Sequence, residues 1–348
     1  MQLSLSYFAA EEGSAADAYR LLLEGARFAD REGFTAVWTP ERHFHPFGGL
    51  YPNPAVTAAA LAAATDRIRI RAGSVVLPLH DPIRVAEEWA FVDNISGGRV
   101  DVSFASGWHS RDFVLAPDDY ADRRQLTEDR IAEVRRLWAG GTVTRRDGSG
   151  QDSEITVYPR PLQPELPVWL TSSGNPDTFV AAGRLGAGLL THLLGQDLDT
   201  LAERIRLYRE AYRASPLGDG GDGHVTLMLH TFLGDDVDRV RAAVRGPMSR
   251  YLRSSLHLTG LLARPGGRMP DLSRLSERDL DFLVGQAFER YFDRHGLFGT
   301  VETAAALAER LAGTGVDEIA CLIDFGVPTD EVLASLPRLA ELARTVAG

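Results

Sequence analysis

Strand-like and helix-like segments alternate along the whole chain of 348 residues, and this alternation limits the fold more than any other feature. Strands that are separated by helices need crossover connections, which favour a parallel sheet. Eight segments have the apolar character of strands, at residues 3–9, 35–39, 68–79, 99–105, 167–172, 188–194, 224–233 and 316–324. Eight strand–helix units over this length predict a closed (β/α)8 TIM barrel of the α/β class.

The helices between these strands have recognisable starting signals. Helical spacing of apolar residues covers residues 15–33, 54–65, 123–139, 198–214 and 330–346. Asp81-Pro82 and Asn175-Pro176 each combine an N-cap side chain with a proline at the first helical position. A further helix is predicted to begin at Asp235-Asp236.

Two stretches exceed a minimal barrel and are interpreted as insertions. Residues 140–161 contain a hairpin signal around Asp147-Gly-Ser-Gly150. Residues 246–298 contain the loop Arg264-Pro-Gly-Gly-Arg268 and a predicted extra helix at residues 276–295. Insertions of this kind usually carry specificity or subunit contacts. Because no linker or low-complexity segment interrupts the pattern, residues 1–348 are predicted to form one domain.

Charge and cysteine content exclude several classes of function. A formal net charge of −11 argues against a nucleic-acid or membrane partner. The single cysteine, Cys321, excludes an internal disulfide and a multi-thiolate metal site. The N-terminus has no basic lead or cleavage signal, and the longest apolar stretch is too short to span a bilayer. A cytoplasmic protein without a metal is therefore expected.

Polar and aromatic residues collect where the predicted strands end, which is where barrels of this kind build their active sites. Five of the nine histidines fall at these ends. The segments are Glu41-Arg-His-Phe-His-Pro-Phe-Gly-Gly49 after the second strand, Leu77-Pro-Leu-His80 after the third, Ser106-Gly-Trp-His-Ser-Arg-Asp112 after the fourth, Ser172-Ser-Gly-Asn175 after the fifth, and Thr191-His192 at the end of the sixth.

The turn at Ser172, Ser173 and Gly174 favours phosphate binding, because it precedes a helix that begins at Asn175-Pro176. Free backbone N–H groups and the helix dipole attract phosphate at such a terminus. Ordinary N-capping explains the same residues. His43 and His45 alternate along a segment taken as extended, so they point to opposite sides and do not suggest a metal site. No dinucleotide fingerprint, nucleophile elbow or Walker loop is present.

Taken together, these segments resemble the bacterial luciferase-like, flavin-dependent monooxygenase family. Three stretches carry the resemblance, and weaker similarity extends over the whole chain. They are Glu41-Arg-His-Phe-His-Pro-Phe-Gly-Gly-Leu-Tyr-Pro-Asn-Pro54, Val75-Val-Leu-Pro-Leu-His-Asp-Pro-Ile-Arg84 and Gly97-Gly-Arg-Val-Asp-Val-Ser-Phe-Ala-Ser-Gly-Trp-His-Ser-Arg-Asp-Phe113. Within the family, the segments look like the branch associated with nonribosomal peptide and polyketide biosynthesis.

The resemblance implies an FMN site at the barrel mouth. Ser74 matches a position near a non-prolyl cis peptide behind the flavin ring. Ser106 and Trp108 match positions that contact the phosphate and ring region. The phosphate loop would comprise Ser173, Gly174, Asn175 and Thr178, together with Ser172 from the helix-end argument, and His192 matches a position beside the flavin.

The chain also departs from the luciferases. They carry two adjacent histidines after the glutamate, and the first is catalytic, whereas here Arg42 and His43 occupy these positions. The phosphate-loop glutamate and arginine of luciferases are replaced by Ser173 and Ser106. The light-emitting reaction is therefore not expected. Glu41, Arg42, His43 and His109 are the candidates for orienting activated oxygen and moving protons.

The resulting hypothesis is a two-component monooxygenase that uses reduced FMN from a separate flavin reductase and O₂ to oxygenate an acyl or aminoacyl substrate. This substrate is either a small molecule or is tethered to a carrier protein. The resemblance also implies a homodimer. Three alternatives remain: an F420-dependent hydride-transferring oxidoreductase, a non-catalytic flavin-binding relative, and, less favoured because the chain has no lysine, a sugar-phosphate isomerase.

Overall fold

A computed structural model describes residues 1–8, 14–46, 48–259 and 276–347. Eleven strands lie in this part of the chain: β1 Gln2–Ser6, β2 Ala36–Thr39, β3 Arg69–Val76, β4 Val100–Ala105, β5 Val143–Arg146, β6 Asp152–Ile155, β7 Val168–Thr171, β8 Gly188–His192, β9 Val225–Leu233, β10 Leu297–Gly299 and β11 Glu318–Leu322. The helices are α1 Ala15–Glu32, α2 Pro54–Ala64, α3 Pro82–Ser96, α4 Arg123–Trp138, α5 Pro176–Arg184, α6 Leu198–Arg213, α7 Val237–Thr259, α8 Glu277–Arg294, α9 Val301–Gly313 and α10 Thr329–Val346.

Eight of the strands close into a parallel barrel, which confirms the predicted fold class. Their order is β1-β2-β3-β4-β7-β8-β9-β11, and β11 pairs with β1 to close the ring. Side chains alternate between the two faces of each strand. On β9, Leu227 and Leu229 belong to the large outer core, whereas Met228 packs inside the barrel beside Trp38 and Trp169.

The two helix N-caps predicted from the sequence are present in the structure. The side chain of Asp81 accepts a hydrogen bond from Ile83 N at 2.8 Å, and that of Asn175 accepts one from Asp177 N at 3.0 Å. Asn53 caps α2 in the same way. Each of these helices is the next helix after a barrel strand, so its N-terminus lies towards the C-terminal mouth of the barrel.

An ionic layer fills the opposite end of the barrel. Arg71 contacts Asp101 at 2.5 Å and Glu318 at 2.8 Å, and all three side chains are at most 6% exposed. The guanidinium packs against both Trp38 and Trp169, 4.8 and 4.7 Å from their ring centroids. This layer is absent from the sequence-based prediction, because its members are up to 247 residues apart.

The two insertions differ in how well they were anticipated. β5 and β6 form the antiparallel hairpin predicted within residues 140–161. In residues 246–298, α8 begins after its cap Ser276 and ends before His295, as predicted. The boundary at residue 246 falls inside α7, and the short strand β10 pairs with β9, which the sequence analysis missed. The predicted loop at Arg264-Pro-Gly-Gly-Arg268 lies outside the described residues. No described helix is long and apolar enough to cross a membrane.

Candidate active site

The carboxylate of Glu41 connects two histidines at the barrel mouth. Its Oε1 accepts hydrogen bonds from His43 Nε2 at 2.8 Å and His80 Nε2 at 2.7 Å. Its Oε2 accepts one from the backbone N–H of Val76 at 2.7 Å. Burial alone would raise the pKa of Glu41, but these hydrogen bonds outweigh it and hold the pKa below its usual value. Glu41 is therefore a fixed anion.

The same carboxylate affects His80 in the opposite sense. Burial lowers the pKa of this imidazole, but the hydrogen bond and charge of Glu41 outweigh burial and raise it. The Nε2 atoms of His43 and His80 both lie at hydrogen-bond distance from the same oxygen of Glu41, which leaves no room for an ion between the imidazoles and the carboxylate. In the described part of the chain, no group of His, Cys, Asp and Glu is arranged to hold a metal.

The segment after β2 bends, and the prediction of an extended segment was wrong. Phe44 adopts a positive φ of 52°, a region that non-glycine residues seldom occupy. The bend separates the two histidines, since His43 turns to Glu41 while the ring of His45 lies 6.4 Å from that of His109. The conclusion that these histidines face different ways therefore stands for another reason.

Arg42 is buried at the barrel mouth, close to Asp112 and Trp108. Its side chain is 2% exposed, and its three guanidinium nitrogens find no acceptor among the described residues. The closest carboxylate oxygen, Oδ2 of Asp112, is 4.0 Å from Nη1. The guanidinium lies 4.6 Å from the ring of Trp108, which is half exposed. Burial lowers the pKa of Arg42 against the opposing charge of Asp112.

Asp112 also serves His109, so the predicted residues Arg42, Trp108 and His109 form one group around it. The Nδ1 atom of His109 lies 3.3 Å from Asp112 Oδ1, and its ring packs edge-on to Trp108. Asp112 is 6% exposed and stands in a short 3-10 turn, Ser110–Leu115. The turn brings the carboxylate close to the side chains of both Arg42 and His109.

A hydroxyl cluster lies between β3, β4 and β7. Thr171 hydrogen-bonds to Ser74 and, at 2.7 Å, to Ser103. The peptide bond between Gly73 and Ser74 is cis, as the resemblance implies for this position. A side chain on Gly73 would approach Trp38 and Leu190, so this stretch of β3 faces the barrel interior.

Three of the predicted cofactor residues, Ser106, Asn175 and Thr178, line a small pocket of about 80 Å³. Thr171 and Arg124 also line it. Arg124 has no ion-pair partner among the described residues, whereas Glu128 on the same wall is engaged by Arg184. A pocket with hydroxyl and amide groups, an unpaired guanidinium and a nearby helix N-terminus is suited to a phosphate.

The turn before α5 is tightly constrained. Gly174 has a φ of 110°, and a Cβ there would lie 2.8 Å from Arg204 Nη1. The N–H of Gly174 donates to Ser172 Oγ at 3.2 Å, so this amide is already used within the turn. Ser172 is buried and Ser173 is exposed. The structure thus makes Ser172 a support of the turn, while Ser173 remains accessible.

His192 reaches the mouth beside a second histidine, His230. Burial lowers the pKa of His192 to about 4, and burial together with the charge of His192 lowers that of His230 to about 3. His192 accepts a hydrogen bond from Leu194 N, and His230 contacts the Tyr291 hydroxyl at 2.7 Å. Both imidazoles are therefore neutral near pH 7.

Sequence reasoning did not assign a role to several residues of this site, chiefly His80, Asp112, Thr171, Arg124 and His230. His80 carried a usable signal, because it follows β3 directly and β3 neighbours β2 in the barrel. Arg124 and Asp112 gave none, since their roles depend on how α4 and a 3-10 turn fold back over the mouth.

A parallel barrel with a carboxylate–imidazole cluster at its C-terminal mouth is the architecture of an enzyme. Residues 1–318 match the family model described as luciferase-like monooxygenase, and the chain belongs to this family. The family assignment confirms the prediction of a flavin-dependent oxidoreductase.

One sequence relative and one solved structure are similar to this chain over most of its length. The oxygenase component of a flavin-dependent trigonelline monooxygenase from Acinetobacter baylyi (strain ATCC 33305 / BD413 / ADP1) is 26% identical over 328 residues, 92% of this chain and 88% of that protein. Monooxygenase RslO1 from Streptomyces bottropensis has the same fold, with a TM-score of 0.81 and 24% identity over the full length of both chains.

Structural likeness extends to enzymes of two cofactor types. The oxygenating constituent of 3,6-diketocamphane monooxygenase from Pseudomonas putida, solved in complex with FMN, has a TM-score of 0.76 with 17% identity over 98% of each chain. An F420-dependent secondary alcohol dehydrogenase has a TM-score of 0.69 with 20% identity over 99% of each chain. At these identities the likeness concerns the fold alone.

Proposed function

We propose that this protein is the oxygenase component of a two-component monooxygenase, which takes reduced FMN from a separate flavin reductase and uses O₂ to oxygenate an organic substrate. The observation that carries the proposal is the buried group of Glu41, His43 and Arg42 at the mouth of a luciferase-like barrel. The relative from A. baylyi, itself named an oxygenase component, supports a separate reductase.

FMN fits the chain's own residues. The pocket at Ser106, Asn175 and Thr178 would hold the phosphate, and Arg124 supplies the charge that Ser106 and Ser173 lack. The ring would lie at the hydroxyl cluster of Ser74, with Trp108 and the neutral His192 at the mouth. Gly174 and Ser172 shape the phosphate turn. When bound, the reduced flavin supplies the two electrons that activate O₂.

The protein then has three tasks: to orient the reactants, to exclude water and to control protons. Arg42 would donate hydrogen bonds from its guanidinium to an oxygen atom of the substrate or of activated oxygen, because its three nitrogens have no acceptor among the described residues. His43 and His109 would exchange protons, each held by a buried carboxylate, Glu41 or Asp112.

For the substrate, we propose an acyl or aminoacyl compound of specialised metabolism, free or tethered to a carrier protein. A guanidinium that lacks an acceptor is complementary to a carbonyl or carboxyl oxygen. The half-exposed ring of Trp108 offers an apolar surface beside it. An acyl group presents both features.

We also propose that the protein is a cytoplasmic homodimer that uses the outer face of α2 and α3. The sequence of α2, PAVTAAALAAA, is apolar on all sides, and a helix of this kind is usually covered on both faces. Val56 on α2 and Phe91 and Ile95 on α3 are 68%, 53% and 45% exposed. A second copy would cover them with the same patch.

The decisive experiment is anaerobic titration with reduced FMN, followed by rapid mixing with oxygen. We expect tight binding and a transient absorbance that belongs to neither reduced nor oxidised flavin, since a site that excludes water slows the loss of activated oxygen. Failure to bind, or reoxidation at the rate of free flavin, would refute the proposal. Binding of F420 with hydride exchange in the absence of O₂ would support that alternative instead.

A matched pair of variants links the result to the site. Thr178→Val removes a hydroxyl from the phosphate pocket and should weaken the binding of reduced FMN about tenfold. Thr314→Val makes the same exchange at a threonine that follows α9, away from the mouth, and should leave FMN binding unchanged. Stable FMN binding without any substrate-dependent turnover would favour the non-catalytic relative.

A further inference from the structure

His80 approaches the catalytic carboxylate from the outer wall of the barrel. Its ring is 26% exposed, and it lines a pocket of about 300 Å³ that opens to solvent between the segment after β3, α4 and the hairpin. On the inner side its Nε2 reaches the same oxygen of Glu41 that His43 contacts. One carboxylate is thus shared between His80, which faces solvent, and His43 of the segment after β2.

Besides Glu41, both an acidic and a basic residue act on the protonation of His80. Glu88 of α3 favours a proton on His80, and Arg130 of α4 opposes it. Arg130 is itself tied to Asp119 at 2.7 Å and donates to the backbone oxygen of His80 at 3.2 Å. The remaining charged residues of the outer pocket are Asp81, Glu133 and Arg145, of which the last two form an ion pair.

Around His43, by contrast, the ion pair with Glu41 is the single one within the described part of the chain. Its ring is 12% exposed and lies 5.5 Å from that of Phe44. The charge of His43 therefore depends on how much of the Glu41 carboxylate remains uncompensated.

We propose that His80 is a positioning residue that carries the proton balancing the charge of Glu41, and that it thereby leaves His43, in the segment after β2, as a neutral imidazole. One carboxylate can compensate the charge of one imidazolium. A second imidazolium would place two positive charges side by side in a buried site, which is unfavourable. The solvent-facing histidine takes the proton because water in the outer pocket solvates its charge.

The inference deepens the proposed function and rests on it for its catalytic meaning, since a neutral His43 can accept a proton from a reacting group whereas an imidazolium cannot. Because both imidazoles contact one carboxylate oxygen, a proton on one affects the other. As pH falls, the first proton of the pair goes to His80.

The test is a histidine NMR titration of the flavin-free protein, with the two signals assigned by His43→Gln and His80→Gln. We expect His80 to titrate above His43 in the wild type. In His80→Gln the amide still donates to Glu41 but carries no charge, so the pKa of His43 should rise by about one pH unit. Equal titration of His43 in both proteins would overturn the proposal.

Arg145→Gln is the matched control, because it removes a charge from the same outer pocket without touching Glu41. It should leave the titration of His43 nearly unchanged. A shift as large as that of His80→Gln would mean that the general field of the pocket, and not the shared carboxylate, controls His43, and this would contradict the proposal.

Chemical rescue supplies a second test. His80→Gly opens a space that is continuous with the outer pocket, so added imidazole can replace the missing ring. Imidazole should return the pKa of His43 to its wild-type value and restore the pH profile of the oxygen reaction. A His43 titration that does not respond to imidazole would overturn the proposal. Because the NMR test needs no flavin, it can succeed even if reduced FMN fails to bind, so the two failures are distinguishable.

Discussion

A buried cation without an acceptor destabilises a folded protein, and Arg42 is such a cation within the part of the chain that the structure describes. Its position beside Trp108 and 4.0 Å from Asp112 compensates only part of the lost hydration. Residues that a fold tolerates at such a cost are commonly found in active sites. Three guanidinium nitrogens without an acceptor among the described residues, and not the position in the sequence, make Arg42 a candidate ligand-binding group.

Arg42→Gln should impair the use of oxygen and spare FMN binding. Removing a preorganised donor from an active site costs about a hundredfold in rate. We expect reduced FMN bound to the variant to reoxidise faster, with release of hydrogen peroxide, because activated oxygen is no longer held. Stopped-flow absorbance and a peroxide assay measure both effects.

Arg124→Gln provides the opposite pattern, since Arg124 lines the phosphate pocket and lies on the surface. It should weaken the binding of reduced FMN about tenfold and leave the reoxidation of bound flavin unchanged. If Arg42→Gln and Arg124→Gln produced the same pattern, the separation of an oxygen-side and a phosphate-side cation would be wrong.

At the scale of elements, the turn that joins β7 to α5 depends on glycine. A side chain at position 174 would be strained at φ 110° and would meet Arg204, whose Nη1 donates to Gln196 at 2.6 Å. The turn, the following helix and Arg204 of α6 are therefore coupled through one residue without a side chain.

Gly174→Ala should lower the stability by about 1–2 kcal/mol and weaken the binding of reduced FMN, because the phosphate turn must shift. Gly285→Ala is the control, since Gly285 lies within α8 and a Cβ there meets nothing within 4 Å. It should raise the stability by about 0.5–1 kcal/mol. Urea unfolding and FMN titration would show the contrast, and equal effects of the two variants would contradict it.

The elements that could be predicted from sequence are those specified by neighbouring residues. Asp81-Pro82 and Asn175-Pro176 placed two helix starts, and the Asp147 turn placed the hairpin. The short strand β10 escaped prediction, because three residues carry too little periodicity and its pairing with β9 is a tertiary contact. The positive φ of Phe44 also escaped prediction, because no local sequence signal indicates a left-handed conformation there.

The candidate site follows the same division. Sequence reasoning located the strand ends and therefore most of the polar residues of the mouth, but it could not tell which of them touch. The sharing of Glu41 between His43 and His80 depends on the register of β2 against β3. The convergence of Arg42 and His109 on Asp112 depends on the 3-10 turn after β4.

At the scale of the whole molecule, the ionic layer shows how the barrel is held at the end away from the site. The pKa of Glu318 is lowered to about 2, because Arg71, His224 and Ser4 together outweigh the effect of burial. A carboxyl group with a lowered pKa contributes stability above its unfolded value of about 4.5, and this contribution is lost as pH falls towards 2.

Arg71→Met should cost about 3–5 kcal/mol at pH 7, because it leaves Glu318 as a buried charge without its main partner. The pKa of Glu318 then rises, so the deficit relative to the wild type should narrow between pH 7 and pH 4.5. Urea unfolding at the two pH values tests this. Arg145→Met, which breaks the partly exposed pair with Glu133, should cost less than about 1 kcal/mol at either pH.

Assembly is the remaining property at this scale, and the outer face of α2 and α3 predicts it. Phe91 and Val56 line a groove of about 450 Å³ with Tyr158, which is 70% exposed beyond the hairpin. Phe91→Glu places a charge in the centre of this apolar face and should convert the proposed dimer into a monomer of 38.0 kDa. Phe282→Glu changes a phenylalanine that is 65% exposed on α8 and should leave the dimer intact. Sedimentation velocity distinguishes the variants.

A wild-type monomer at micromolar concentration would contradict the proposed dimer. Dissociation by Phe282→Glu alone would place the interface elsewhere. Dissociation by Phe91→Glu alone would explain why α2 is apolar on the side that faces away from the barrel.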